Sequence, residues 1–110
     1  MGWMHQREHY RVAYPTALRP KLVVQGVPFD VVDISERGIR FRLGQTTAPE
    51  PGFEVQGDVR FKRGDSITIR GTVLRVHDGE VAARLEEGIP LRVIMEEQRF
   101  LLARHRLPGR

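Results

Sequence analysis

SITIRGTVLRVHDGEVAARL, residues 66–85, reads as two strands joined by a turn. Ile67, Ile69, Gly71, Val73 and Val76 alternate with polar residues, apart from Leu74 and one slip near the end of the run. Such alternation puts one strand face on a core and the other in water. His77-Asp78-Gly79 supplies the turn, and an Asp-Gly pair between apolar runs is a strong hairpin signal. Glu80–Glu86 is the returning strand.

Working towards the N-terminus, Val55–Phe61 is another strand, joined to Ser66 through Arg63-Gly64-Asp65. Gly44–Phe53, with two Thr and two Pro, is a long loop. Leu18–Gln25, Phe29–Ile34 and Gly38–Leu43 are short runs rich in Val, Ile and Phe, bounded by Gly, Pro, Asp or Ser. Gly26-Val27-Pro28 is the expected tight connection between the first two. Pro15 and Pro20 discourage a helix upstream, so residues 1–15 read as a flexible, polar, basic arm.

After residue 88 the period changes. Leu91, Ile94, Met95, Gln98, Leu101, Leu102 and His105 share one helical stripe, and Pro90 suits the first turn. Phe100 falls outside that stripe. Glu86, Glu87, Glu96 and Glu97 are expected on solvated edges and on a solvated helix face. Six short strands and one amphipathic helix predict a mainly β, antiparallel six-stranded barrel, whose closure removes exposed edges. The expected layout is an arm at 1–15, a barrel at 16–88 and a helix at 89–106, together forming one domain.

Composition narrows the function. The chain has 110 residues, room for one domain, and a net charge of +4. All but two of its 18 basic residues are arginine; the exceptions are Lys21 and Lys62. Arginine pairs bidentately with phosphate and with guanine and stacks on bases. Cysteine is absent, which excludes disulfide and thiolate chemistry. His5, His9, His77 and His105 are scattered and form no metal or triad pattern, so an enzyme is not expected, nor a cofactor or a metal. No apolar run reaches the roughly 18 residues of a membrane span. The start lacks the apolar core of a signal peptide, so a cytoplasmic location without membrane insertion is expected.

Two motifs stand out. Arg7-Glu8-His9-Tyr10-Arg11 is an RxxxR pattern, which so arginine-rich a chain produces readily by chance. Asp33-Ile34-Ser35-Glu36-Arg37-Gly38 is a DxSxxG pattern and carries one of only two serines. A plain turn accounts for Asp, Ser and Gly between two strands. It does not account for the basic motif placed before the first strand pair.

The two motifs in this order, with the strand Gly38-Ile39-Arg40-Phe41, the 71–85 hairpin and the terminal helix, resemble the PilZ domain family. The resemblance spans nearly the whole chain. It implies a six-stranded barrel that binds cyclic di-GMP, a bacterial second messenger, through Arg7, Arg11, Asp33, Ser35 and Gly38. Two phosphodiesters call for the arginines, and a guanine N1–H/N2–H₂ edge calls for an acceptor such as Asp33. Ser35 can donate to phosphate or accept from the base. Gly38 is expected to supply a left-handed backbone and close approach to the ligand. Arg37 and Arg40 add positive potential near the turn, and Arg75 offers a flat guanidinium where some family members stack an aromatic ring. Gln6 replaces an arginine that in the family often accompanies two bound dinucleotides, so one is expected here. The resemblance further implies a conformational change on binding and an unidentified downstream protein partner, in motility, exopolysaccharide or biofilm control. Two other readings compete: a small basic barrel for single-stranded nucleic acid, for which aromatic platforms are few, and an adaptor that needs no ligand. Monomer and homodimer are both open.

Overall fold

Val27–Ser35 is the strand that closes the molecule. The structure, a computed structural model, describes residues 10–105. Its strands are β1 (Val12–Ala13), β2 (Lys21–Val24), β3 (Val27–Ser35), β4 (Gly38–Arg42), β5 (Glu54–Arg60), β6 (Ser66–His77) and β7 (Glu80–Leu85), followed by the helix α1 (Leu91–His105). The sheet runs β3-β2-β5-β6-β7-β4, and β4 pairs back onto β3, so six antiparallel strands form a closed barrel. The nine residues of β3 make this possible. Its first half pairs with β2 and its second half with β4.

The short β1 adds to the outer edge of β3, with Val12 opposite Ile34 and Ala13 opposite Asp33. Val12 and Tyr14 are buried, and the Tyr14 amide donates to the Val32 carbonyl. The end of the expected arm is therefore tied to the barrel. Backbone ladder bonds and two buried side chains offset the entropy of ordering it.

Inward-facing Leu22, Val31, Ile34, Ile39, Val59, Val73 and Val81 fill the barrel. Two hairpin turns use left-handed backbone at both of their residues. Asp78-Gly79 is the expected hairpin turn; the other is Gln25-Gly26, not Gly26-Val27-Pro28. Val27 and Pro28 already belong to β3. The β2–β3 register forces this, since Val24 lies opposite Val27 and only two residues remain for the turn.

Two bulges interrupt the ladders, at Val32 in β3 and at Leu74 in β6. The second explains the slip in the 66–76 alternation. Leu74 and Arg75 both face outward, and the alternation resumes one residue later with the half-buried Val76.

The helix lands on a different face from the expected stripe. Val93, Ile94 and Glu97 are buried and Leu101 is half-buried, whereas Leu91, Met95 and Leu102 are exposed. Glu97 is 1% exposed, not solvated. It is held there by Tyr14, whose hydroxyl donates to its Oε1, and by Arg63, whose Nε donates to its Oε2. A buried carboxylate is tolerated when both oxygens are satisfied. Hydropathy alone counts Glu97 as polar and so rotates the stripe away from it. Glu96 is half-buried beside Arg63 and Arg92. No helix among the described residues is long and apolar enough to cross a membrane.

Candidate functional site

The β3–β4 turn is held from below. Ser35 and Gly38 form the last ladder pair, leaving Glu36 and Arg37 as the turn. The Leu85 amide donates to the Arg37 carbonyl, and the Ile89 amide donates to the Glu36 carbonyl. The segment leading into α1 thus clamps the turn. Ser35 is buried and Arg37 is exposed at the tip.

One expectation for Gly38 fails. Its backbone does not lie in the left-handed region. A Cβ there would sit 3.4 Å from Ser35 Oγ and 3.6 Å from the Ala83 carbonyl oxygen. These are ordinary contact distances, so neither the backbone angle nor packing within the chain demands a glycine here.

Asp33 is the centre of the site. It is 5% exposed. Arg11 Nη1 donates to its Oδ1 at 2.6 Å, and Arg40 Nε lies 3.3 Å from its Oδ2. Each carboxylate oxygen carries one guanidinium, which satisfies the buried charge. A carboxylate has about four lone-pair sites, so acceptor capacity remains. The bulge at Val32 sets Asp33 directly opposite Arg40 in the ladder.

The ladder extends this pair across four strands. Asp33 faces Arg40, Arg40 faces Ala82, and Ala82 faces Arg75. In the next outward row Arg42 faces Glu80, and Glu80 faces His77. Glu80 sits 3.1 Å from Arg42 Nη1 and 3.7 Å from Arg40 Nη1. Arg40, Arg75, Val76, His77, Glu80 and Ala82 line a hollow of about 340 Å³. Cavities that hold small ligands run from roughly 300 to 1,000 Å³.

The structure therefore brings together Arg11, Asp33, Ser35, Gly38, Arg40 and Arg75 on one side of the barrel, while Arg37 stays at the tip of the turn. Arg7 and Gln6 lie outside the described residues. Sequence reading missed Glu80, Arg42, His77 and Ala82. Their place depends on cross-strand register, and no motif marks it. Among the described residues no group of His, Asp and Glu is arranged to hold a metal ion.

This architecture has known counterparts. The sequence matches the PilZ domain profile over residues 5–104. The chain belongs to the PilZ domain family. No curated protein matches it. Among solved structures it is similar to YcgR from Escherichia coli in complex with c-di-GMP, with a TM-score of 0.70, 13% identity, and coverage of 91% of this chain and 49% of that one. It is also similar to the Bacillus subtilis inhibitor of motility MotI, with a TM-score of 0.66, 14% identity, and coverage of 86% and 51%. An uncharacterised Legionella protein aligns with a TM-score of 0.61 at 14% identity, covering 86% of this chain and 98% of its own. This PilZ chain spans about half the length of the Escherichia and Bacillus proteins. At such identities the likeness is one of fold. PilZ domains are receptor and adaptor domains rather than enzymes.

Proposed function

We propose that this PilZ domain is a cytoplasmic receptor for cyclic di-GMP that passes the signal to a partner protein. The observation that carries the reading is the buried Asp33 carboxylate, bracketed by Arg11 and Arg40 and set beside Ser35 and Gly38. Two phosphodiesters need cations, and Arg11 and Arg40 stand at the rim of the site. A guanine edge needs an acceptor, and Asp33 has lone pairs to spare. Arg7, the other arginine of the RxxxR motif, also engages the ligand in this reading. In this reading one dinucleotide binds per domain, and closure of the N-terminal segment over it alters the surface offered to the partner.

Titration calorimetry with cyclic di-GMP tests the reading on wild type, Arg7→Ala, Arg11→Ala and Asp33→Ala. Wild type binds, and each substitution costs about 1–3 kcal/mol, the worth of a bidentate base contact. A wild-type affinity no better than that for GMP overturns the assignment. The same titration gives the stoichiometry.

A further inference from the structure

The hollow beside the Asp33 site contains a second carboxylate. Glu80 lines it, and Arg40 reaches from Asp33 on one side to Glu80 on the other. The order across the barrel is carboxylate, arginine, carboxylate. A cyclic diguanylate has a matching order: a base, the phosphate-bearing ring, a second base. The floor between Arg40 and Arg75 is Ala82, whose methyl group leaves the space a flat base requires. The bulge at Leu74 keeps Arg75 on the outer surface, at the wall of that space. Bulges commonly re-aim a side chain beside a site in this way.

We infer that Glu80 is a specificity residue: its carboxylate accepts N1–H and N2–H₂ of a second guanine, which lies flat over Ala82 between Arg40 and Arg75. This rests on the receptor reading above. It deepens that reading by assigning the two bases to two different acidic groups, Asp33 and Glu80. Guanine presents two adjacent donors to a carboxylate, while adenine presents the lone pair of N1 and is repelled. Arg42, 3.1 Å from Glu80, orients the carboxylate. Glu80 retains acceptor capacity beyond its two arginines, as Asp33 does.

The test is calorimetric titration of wild type, Glu80→Gln and Ala82→Leu with cyclic di-GMP and with 3′,3′-cyclic GMP–AMP, which carries one adenine. Wild type should prefer cyclic di-GMP by about tenfold or more, the discrimination of one bidentate base contact. Glu80→Gln should weaken cyclic di-GMP by a similar factor and bring the two ligands close to equal affinity. Ala82→Leu fills the floor without touching an ion pair, and it should weaken cyclic di-GMP as well. If Glu80 were only a resident anion competing for Arg40 and Arg42, its neutralisation would tighten both ligands and leave their ratio intact, which overturns the inference. An unchanged affinity for Glu80→Gln in a wild type that binds does the same, with the receptor reading left standing. A wild type that ignores cyclic di-GMP removes both.

Discussion

Tyr14 donates its hydroxyl hydrogen to Glu97 Oε1 at 2.5 Å, joining the residue just past β1 to the middle of the helix. Tyr14 lies three positions after Arg11, so the root of the N-terminal segment and the helix share a buried polar anchor. Glu97 has no water to turn to, being 1% exposed. Tyr14→Phe leaves one of its oxygens without that donor. Hydrogen bonds to charged groups contribute about 1.5–3 kcal/mol, and the variant should lose that much stability in urea unfolding. A loss below a few tenths would show that the contact is not made in solution.

Arg63 provides the counter-charge. Its Nε donates to Glu97, its Nη1 lies 2.7 Å from Asp65 Oδ2, and its guanidinium stacks 5.5 Å from the Phe61 ring centroid. Removing one partner of a buried pair costs roughly 3–5 kcal/mol because the other charge is stranded. Arg63→Met should fall in that range. The triple variant Tyr14→Phe/Arg63→Met/Glu97→Leu should recover most of the loss, since it buries neither an unpaired charge nor the unpaired Tyr14 hydroxyl. A triple variant as unstable as Arg63→Met would mean that the arginine acts through packing alone.

Alkaline pH reads the same anchor. Burial, then the hydrogen bond to Glu97, raises the Tyr14 hydroxyl well above its ordinary value of 10.0. The unfolded chain gives up that proton near pH 10 while the folded chain keeps it, so the folded state binds more protons there. Tyr14 therefore contributes its full stability below pH 10 and loses it progressively as pH rises towards the folded value. The slope is at most about 1.4 kcal/mol per pH unit for one proton. Unfolding midpoints measured from pH 9 to 11.5 should fall more steeply for wild type than for Tyr14→Phe. Parallel profiles would reject the linkage.

Gly71 is fixed by contact. A Cβ there would come within 2.5 Å of the Arg84 carbonyl oxygen, where β6 and β7 run close together. The obstacle is backbone and cannot rotate aside. Gly71→Ala should cost about 1–3 kcal/mol, as overpacking does in a filled interior. Gly26→Ala is a useful contrast. Nothing lies within 4 Å of its Cβ position, and any loss there comes from its φ of +83°. A thermal melt in which Gly71→Ala matches wild type would contradict the packing.

Much of the barrel is legible in the chain. The strands form where Val, Ile and Phe alternate with polar residues, because a period of two lets a strand bury one face. The Asp78-Gly79 hairpin follows from the same local chemistry. The motif pair marks Arg11, Asp33 and Ser35 as the centre of the site, since their types and spacing are local properties. Three features depended on contacts made in the folded chain. The helix turned its buried face towards Glu97 because Tyr14 and Arg63 satisfy that carboxylate, and both partners are distant in sequence. Gly38 lies outside the left-handed region that a turn glycine suggests, because its pairing with Ser35 sets its backbone. Glu80, Ala82 and Arg75 came onto the same face as Asp33, across Arg40, through ladder register and two bulges. Register is set by which strands meet when the barrel closes, so only the folded chain decides which charges become neighbours.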